Sequence, residues 1–234
     1  MRLTGIDPTP FHSLPYWTSA PSRTPCQREL PFFHAKAEGL PNDIGCLVLM
    51  SDLQGREYLS DRLEGTERLL GEAVAEELSL LVGLGEIPPI STVMICGDLY
   101  EYPDCRKPGG TGPVEAVFLS LSRVSEEVIA VLGNHDSLAS TTKLPAKIVV
   151  LNGNVVKTNF GLRVGGLGGI IGDPKRHNRH MELCIQKRPI LLCYMRVPKT
   201  QTEAGRAILL LPNLWKRDFQ ASHYSVTSTG LTHH

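Results

Sequence analysis

No stretch of this chain approaches the ~18 consecutive apolar residues that a membrane helix needs, and residues 1–20 lack the basic start and apolar core of a secretory signal. Neither a membrane span nor a leader is therefore expected, and the reading is a cytoplasmic protein. An excess of charge of either sign is missing too. Lys plus Arg equals Asp plus Glu at 24 each, for a formal net charge of zero. Such a balance gives no general attraction to nucleic acid or to an anionic membrane. The six cysteines (Cys26, Cys46, Cys96, Cys105, Cys184 and Cys193) include no CxxC pair, which removes the commonest spacing of a zinc knuckle or a dithiol redox site. Cys46 and Cys96 lie inside apolar runs, where a thiol behaves as a small hydrophobe. Reduced cysteines are expected.

Sustained periodicity is absent from residues 1–45, which carry Pro8, Pro10, Pro15, Pro21, Pro25, Pro31 and Pro41. They read as an irregular extension whose aromatics (Phe11, Tyr16, Trp17, Phe32 and Phe33) could dock on the rest of the chain.

What is present begins at residue 46. With 234 residues and 41% hydrophobic content the chain can bury a core, and its length suits one domain with additions. Residues 46–50 form a short continuous apolar run of the buried-strand kind, followed at once by Ser51, Asp52, Leu53, Gln54 and Gly55. Leu70, Val74, Leu78 and Leu81 then recur at spacings of four, four and three, which predicts an amphipathic helix within 64–84 that ends near Gly85. The pattern repeats. Residues 91–96 predict a strand ending in Gly97 and Asp98, and Val114, Val117, Phe118, Leu121 and Val124 mark a second helix. A third strand, 127–132, closes in Gly133, Asn134, His135 and Asp136. Three strand-then-helix steps of this kind argue a mainly parallel sheet whose polar residues gather at its carboxyl edge, where open α/β folds hold ligands.

Farther on, short strands at 146–151, 154–158 and 162–166, with Asn152 and Gly153 as a turn, predict hairpins of a second sheet packed on the first. The glycine-rich run 165–169 resembles a dinucleotide loop only superficially, since no convincing helix follows it, and a tight backbone approach between sheets is the simpler reading. Lys175, Arg176, His177, Arg179 and His180 read as a solvated basic loop, and residues 188–192 as a last strand.

Three strand ends thus supply Asp52 with Gln54, Gly97 with Asp98, and Gly133 with Asn134, His135 and Asp136. Carboxylate and amide oxygens with an imidazole are the donors that hold hard or borderline divalent metals. Singly, an Asp after a strand is a helix cap or a turn residue more often than a ligand. In this order, with a glycine before Asp98 and before Asn134, the set is hard to reduce to caps.

These blocks resemble those of the calcineurin-like metallophosphoesterases, which run Asp-x-His, Gly-Asp-x-x, Gly-Asn-His-Asp/Glu, a later His after an apolar strand, and a final Gly-His-x-His. The resemblance spans roughly residues 45–193, and the block 133–136 is its most specific part. It implies an α/β fold, a two-sheet β-sandwich flanked by helices, with a metallophosphoesterase domain at 46–193. It implies a hydrolase for a phosphate mono- or diester, a phosphatase in the broad sense, using two divalent metal ions (Mn, Fe or Zn). Asp52 would bind the first metal, Asp98 would bridge both, and Asn134 would bind the second. Gln54 stands where the family has a metal-binding His, and its carbonyl can still coordinate. His135 would serve as proton donor or charge stabiliser beside the phosphate, and Asp136 would orient it. The implied mechanism is in-line attack on phosphorus by a metal-activated hydroxide.

The pattern departs from the family after Leu192, where Tyr194 occupies the place of an expected His and Leu231 that of the first His of the last block, leaving His233. Regrouped by one base, codons for Tyr194, Met195, Arg196, Val197 and Pro198 can spell His-Glu-Gly-Pro, and those for residues 225–230 can spell Gly-His-Val-His-Trp. Residues 194–234 therefore read as a divergent or frameshifted tail, incomplete or irregular as structure. On that reading the apolar run 208–211 is an exposed liability rather than a strand. The coding DNA tests this directly. A sequence whose bases at these codons spell both blocks is expected, and one that cannot spell them makes the tail genuine.

Overall fold

The computed structural model describes residues 2–59, 68–107, 110–141, 143–169 and 204–210. In chain order its elements are β1 (Arg2–Ile6), β2 (His12–Ser19), β3 (Pro25–Glu38), β4 (Cys46–Met50), α1 (Leu70–Gly83), β5 (Ile90–Ile95), β6 (Gly112–Pro113), α2 (Glu115–Val124), β7 (Ser125–Ala130), β8 (Asp136–Ser137), β9 (Ile148–Val150), β10 (Asn154–Lys157), β11 (Arg163–Gly166) and β12 (Ala204–Leu210). The fold is mixed α/β.

β4 and the carboxyl halves of β5 and β7 are apolar at successive positions because these parts of the strands are buried on both faces. Val48, Met50, Val93, Ile95, Val128 and Ala130 join one core, together with Leu70, Val74, Leu78 and Leu81 of α1 and Val117, Phe118 and Leu121 of α2. The alternate residues Leu47, Met94, Ile129 and Val131 join a second core on the other face, under Leu151, Leu162 and Val164. The antiparallel hairpin β10–β11 covers that face. Period-2 alternation thus feeds a helix layer on one side and a small sheet on the other.

The main sheet has eight strands in the order β1-β3-β12-β4-β5-β7-β9, with β2 also on β3. Strands β4, β5, β7 and β9 run parallel, so their carboxyl ends fall on one edge. As expected, α1 closes where Gly85 turns with φ +75°. The glycine run 165–169 is the close approach anticipated. A Cβ on Gly166 would meet Val131 at 2.5 Å, one on Gly168 would meet the Leu132 carbonyl oxygen at 2.9 Å, and Gly169 N–H donates to that same oxygen at 2.8 Å.

Two expectations are corrected. Residues 1–45 are not an irregular extension, because they contribute β1, β2 and β3 to the main sheet. The 14-residue β3 pairs β2 through 25–32 and β1 through 35–38, while β12 covers only 32–38 of its other edge. Pro25 and Pro31 therefore lie where β3 has a partner on one side only, the setting in which a strand tolerates proline. Leu30 and Phe32 enter one core and Ala35 and Ala37 the other, an alternation that the prolines obscured. The second correction concerns 208–211. Residues 208–210 of the run lie in β12, antiparallel to β3 and parallel to β4, so their backbone is paired on both sides rather than left over, and Leu211 lies outside the described residues. The basic loop 175–180, the strand at 188–192, Tyr194 and His233 lie outside the described residues. No helix among the described residues is long and apolar enough to cross a membrane.

Candidate functional site at the carboxyl edge of the sheet

The parallel ladder continues briefly past the strand ends and brings the three polar loops together. Cys96 N–H donates to the Met50 carbonyl at 2.8 Å, Asp52 N–H to the Gly97 carbonyl at 3.0 Å, and Val131 N–H to the Ile95 carbonyl at 2.9 Å. The chain then turns sharply. Asp52 has φ +54° and Asp98 φ +58°, both in the left-handed region, and Gly97 has φ +82°. Asp is one of the few residues with a side chain that visits this region at modest cost, and both strained aspartates are predicted metal ligands.

The two glycines of the motif interlock. A Cβ on Gly97 would lie 2.5 Å from the Gly133 nitrogen, and one on Gly133 would lie 2.1 Å from Asp98 Oδ1. Only glycine lets the Asp98 and Asn134 loops meet at this spacing. His135 N–H donates to Asp98 Oδ1 at 3.3 Å, which closes the same junction.

Asp136, 9% exposed, sits beneath it as an anchor. Its Oδ2 accepts the N–H groups of Asp98 and Gly133, each at 2.8 Å, and its Oδ1 accepts those of Leu99 at 2.7 Å and Tyr100 at 3.2 Å. This differs from the expected role. The carboxylate organises the backbone of both loops, while Nδ1 of the His135 ring hydrogen-bonds to the Gly110 carbonyl oxygen at 2.6 Å, with the carbonyl accepting. Ring and carboxylate belong to adjacent residues, and four converging amides outcompete a single imidazole for the anion.

Burial pushes the Asp98 carboxyl above its ordinary range; the backbone N–H and ring of His135 oppose the rise, and the Asp136 and Asp52 carboxylates add to it. A cation bound beside this half-buried carboxyl would favour its ionised form. The hydroxyl of Ser51 donates to Asp52 Oδ2. The half-buried amides of Gln54 and Asn134 make no side-chain hydrogen bond among the described residues. The donors present, two carboxylates and two amides, fit an oxygen-preferring ion such as Mn2+. Among the described residues no group of three His, Cys, Asp or Glu side chains is placed to hold a metal.

Several residues missed from sequence build the wall beside this site. Glu101, 3% exposed, accepts the hydroxyls of Thr18 at 3.3 Å and Ser19 at 3.0 Å on Oε2. The buried guanidinium of Arg56 donates from Nε to the Glu101 carbonyl at 2.9 Å and lies 5.3 Å from the centroid of the Tyr100 ring. These contacts link β2 to the Asp98 loop across more than eighty residues, and no local pattern announces them. A cleft of about 500 Å3 is lined by Arg56, Glu72, Tyr100, Pro103, Glu115 and Leu119 among others, and by none of the six predicted site residues. Cys26, Cys46, Cys96 and Cys105 are free thiols. Burial, with the nearby Glu101 carboxylate, pushes the Cys105 thiol up to about 12, so it stays protonated and is no nucleophile.

No protein-family model matches the chain, and no curated protein matches it.

Proposed function

We propose that this chain is a metal-dependent phosphoesterase of the calcineurin-like kind, hydrolysing a phosphate mono- or diester at the carboxyl edge of a two-sheet sandwich. The observation that carries the reading is the interlock of Gly97–Asp98 with Gly133–Asn134, together with the left-handed backbone of Asp52 and Asp98 at two neighbouring strand ends. Asp52, Gln54, Asp98 and Asn134 would hold the divalent ions. When bound, these ions supply Lewis-acid stabilisation of the charge that develops on the phosphoryl oxygens. The chain's own groups do the rest: Asp136 keeps both ligand loops in register, and His135 stands beside them as the group that donates or holds a proton at the ester oxygen. The cleft beside Tyr100 takes the organic part of the substrate. A cytoplasmic setting agrees with the free thiols.

A second reading, a non-catalytic binding module on the same fold, is favoured by the donor set. Amide oxygens bind transition metals more weakly than imidazole, and the imidazoles of the family pattern are missing from Gln54 and Tyr194. Slow turnover of a generic aryl phosphodiester is therefore expected, dependent on added Mn2+ and lost in Asp98→Ala. Elemental analysis separates the readings: two metals per chain with Asp98-dependent turnover supports the enzyme, and one or none without turnover supports the module.

A further inference from the structure

We infer that residues 110–112 are a positioning strap for His135, which holds the proton on Nδ1 and leaves Nε2 as the nitrogen available to substrate. The inference rests on the reading of His135 as the proton-handling residue of a phosphoesterase.

Nδ1 of His135 lies 2.6 Å from the Gly110 carbonyl oxygen. A carbonyl can only accept, so Nδ1 must donate, and the neutral ring is the Nδ1–H tautomer. The backbone of His135 is tied to the same segment, since Gly112 N–H donates to the His135 carbonyl at 3.2 Å. The tie continues as β6 pairs in parallel with β8, and Val114 N–H donates to the Ser137 carbonyl at 3.2 Å. Ring and backbone are thus both held by a segment that supplies no predicted ligand.

The strap reaches this position only because it is made of glycine where it crosses two tyrosines. A Cβ on Gly110 would lie 2.8 Å from the Tyr102 ring and 3.0 Å from that of Tyr100, and one on Gly112 would lie 2.2 Å from the Tyr100 ring. The rings cannot easily yield. They pack edge to face at 5.9 Å, Tyr100 lies under Arg56, and the Tyr100 amide is bound to Asp136. The Gly110 carbonyl is therefore placed by a stack that is itself anchored on the carboxylate organising the metal loops. With Nδ1–H held in this way, Nε2 keeps the lone pair that takes up the proton passed to the ester oxygen, whereas an imidazole without this acceptor would populate the other tautomer, whose lone pair lies on Nδ1.

The test is the tautomer itself. Long-range 15N–1H correlation spectra of the full chain, with His135 assigned through His135→Gln, should show Nδ1 protonated in alkaline buffer. An Nε2–H ring in the unmodified protein overturns the proposal without any variant. Gly110→Ala should shift the tautomer towards Nε2–H and lower kcat by about 10²-fold with KM little changed, the scale of a misplaced catalytic group. Adding Tyr102→Ala to Gly110→Ala makes room for the new methyl and should restore both signals. Gly110→Ala with an unchanged tautomer and unchanged kcat overturns the strap. If the unmodified protein hydrolyses nothing, yet the Nδ1–H signature is present and Gly110→Ala erases it, the strap stands and the hydrolase reading falls.

Discussion

Asp136→Ala is expected to be the most destabilising single change in the described part of the protein. Its carboxylate accepts four backbone N–H groups, from Asp98, Leu99, Tyr100 and Gly133, at 9% exposure. Removing the acceptor leaves donors without partners, at about 1–3 kcal/mol for each one that water cannot reach. Since some would find water, a total of about 4 kcal/mol is expected, a large share of a typical domain's stability. For a domain of this size that corresponds to a fall in Tm of roughly 10 °C. Asp136→Asn sharpens the test. Each carboxylate oxygen serves two amides, so an Asn can satisfy one pair with its carbonyl but must face the other with its own NH2. Its loss should fall between wild type and Ala in a urea titration. Wild-type stability in Asp136→Asn would mean that the amides are not held by charge.

Gly133→Ala is expected to abolish metal binding while leaving the rest of the fold standing. The new Cβ would sit 2.1 Å from Asp98 Oδ1 and 2.4 Å from the Asp98 nitrogen, both tied into the junction by hydrogen bonds. Asp98 must move, and with it a predicted bridging ligand. Overpacking of this kind costs about 1–3 kcal/mol, well short of unfolding. Mn2+ affinity measured by calorimetry should drop beyond detection, and any phosphodiester turnover should vanish with it. Gly5→Ala is the control, because no atom lies within 4 Å of its added Cβ. Retention of Mn2+ binding in Gly133→Ala would refute the placement of Asp98 as a ligand.

Much of the sheet was legible in advance, for a physical reason. The stretches 46–50, 93–96 and 128–132 place apolar residues on both faces of the sheet, so they read as short apolar runs, and polar residues and a glycine follow each within a few positions. Helix α1 was readable because one side alone meets the core, which leaves Leu70, Val74, Leu78 and Leu81 at helical spacing. The amino-terminal strands were not. Their alternation is broken by Pro15, Pro25 and Pro31, which are tolerated because, among the described residues, the ladder beside each of them runs on one side only, a fact of strand order rather than of local sequence. The run 208–211 was misjudged for the same reason. A lone apolar segment carries no sign of the gap between β3 and β4 that it enters.

The site divides along the same line. Residue types and order name Asp52, Gln54, Asp98, Asn134, His135 and Asp136 as candidates, since they lie shortly past the ends of β4, β5 and β7 and the chemistry of a ligand is local to its side chain. Roles were another matter. Which carboxylate faces a neighbour's amides, and which carbonyl meets an imidazole, depends on atoms brought together across 25 residues between Gly110 and His135 and 38 between Asp98 and Asp136. Only the packed chain could move Asp136 from partner of His135 to anchor of two loops, and give the imidazole to a glycine carbonyl, because hydrogen bonds are allotted by proximity in space and separation along the chain does not encode it.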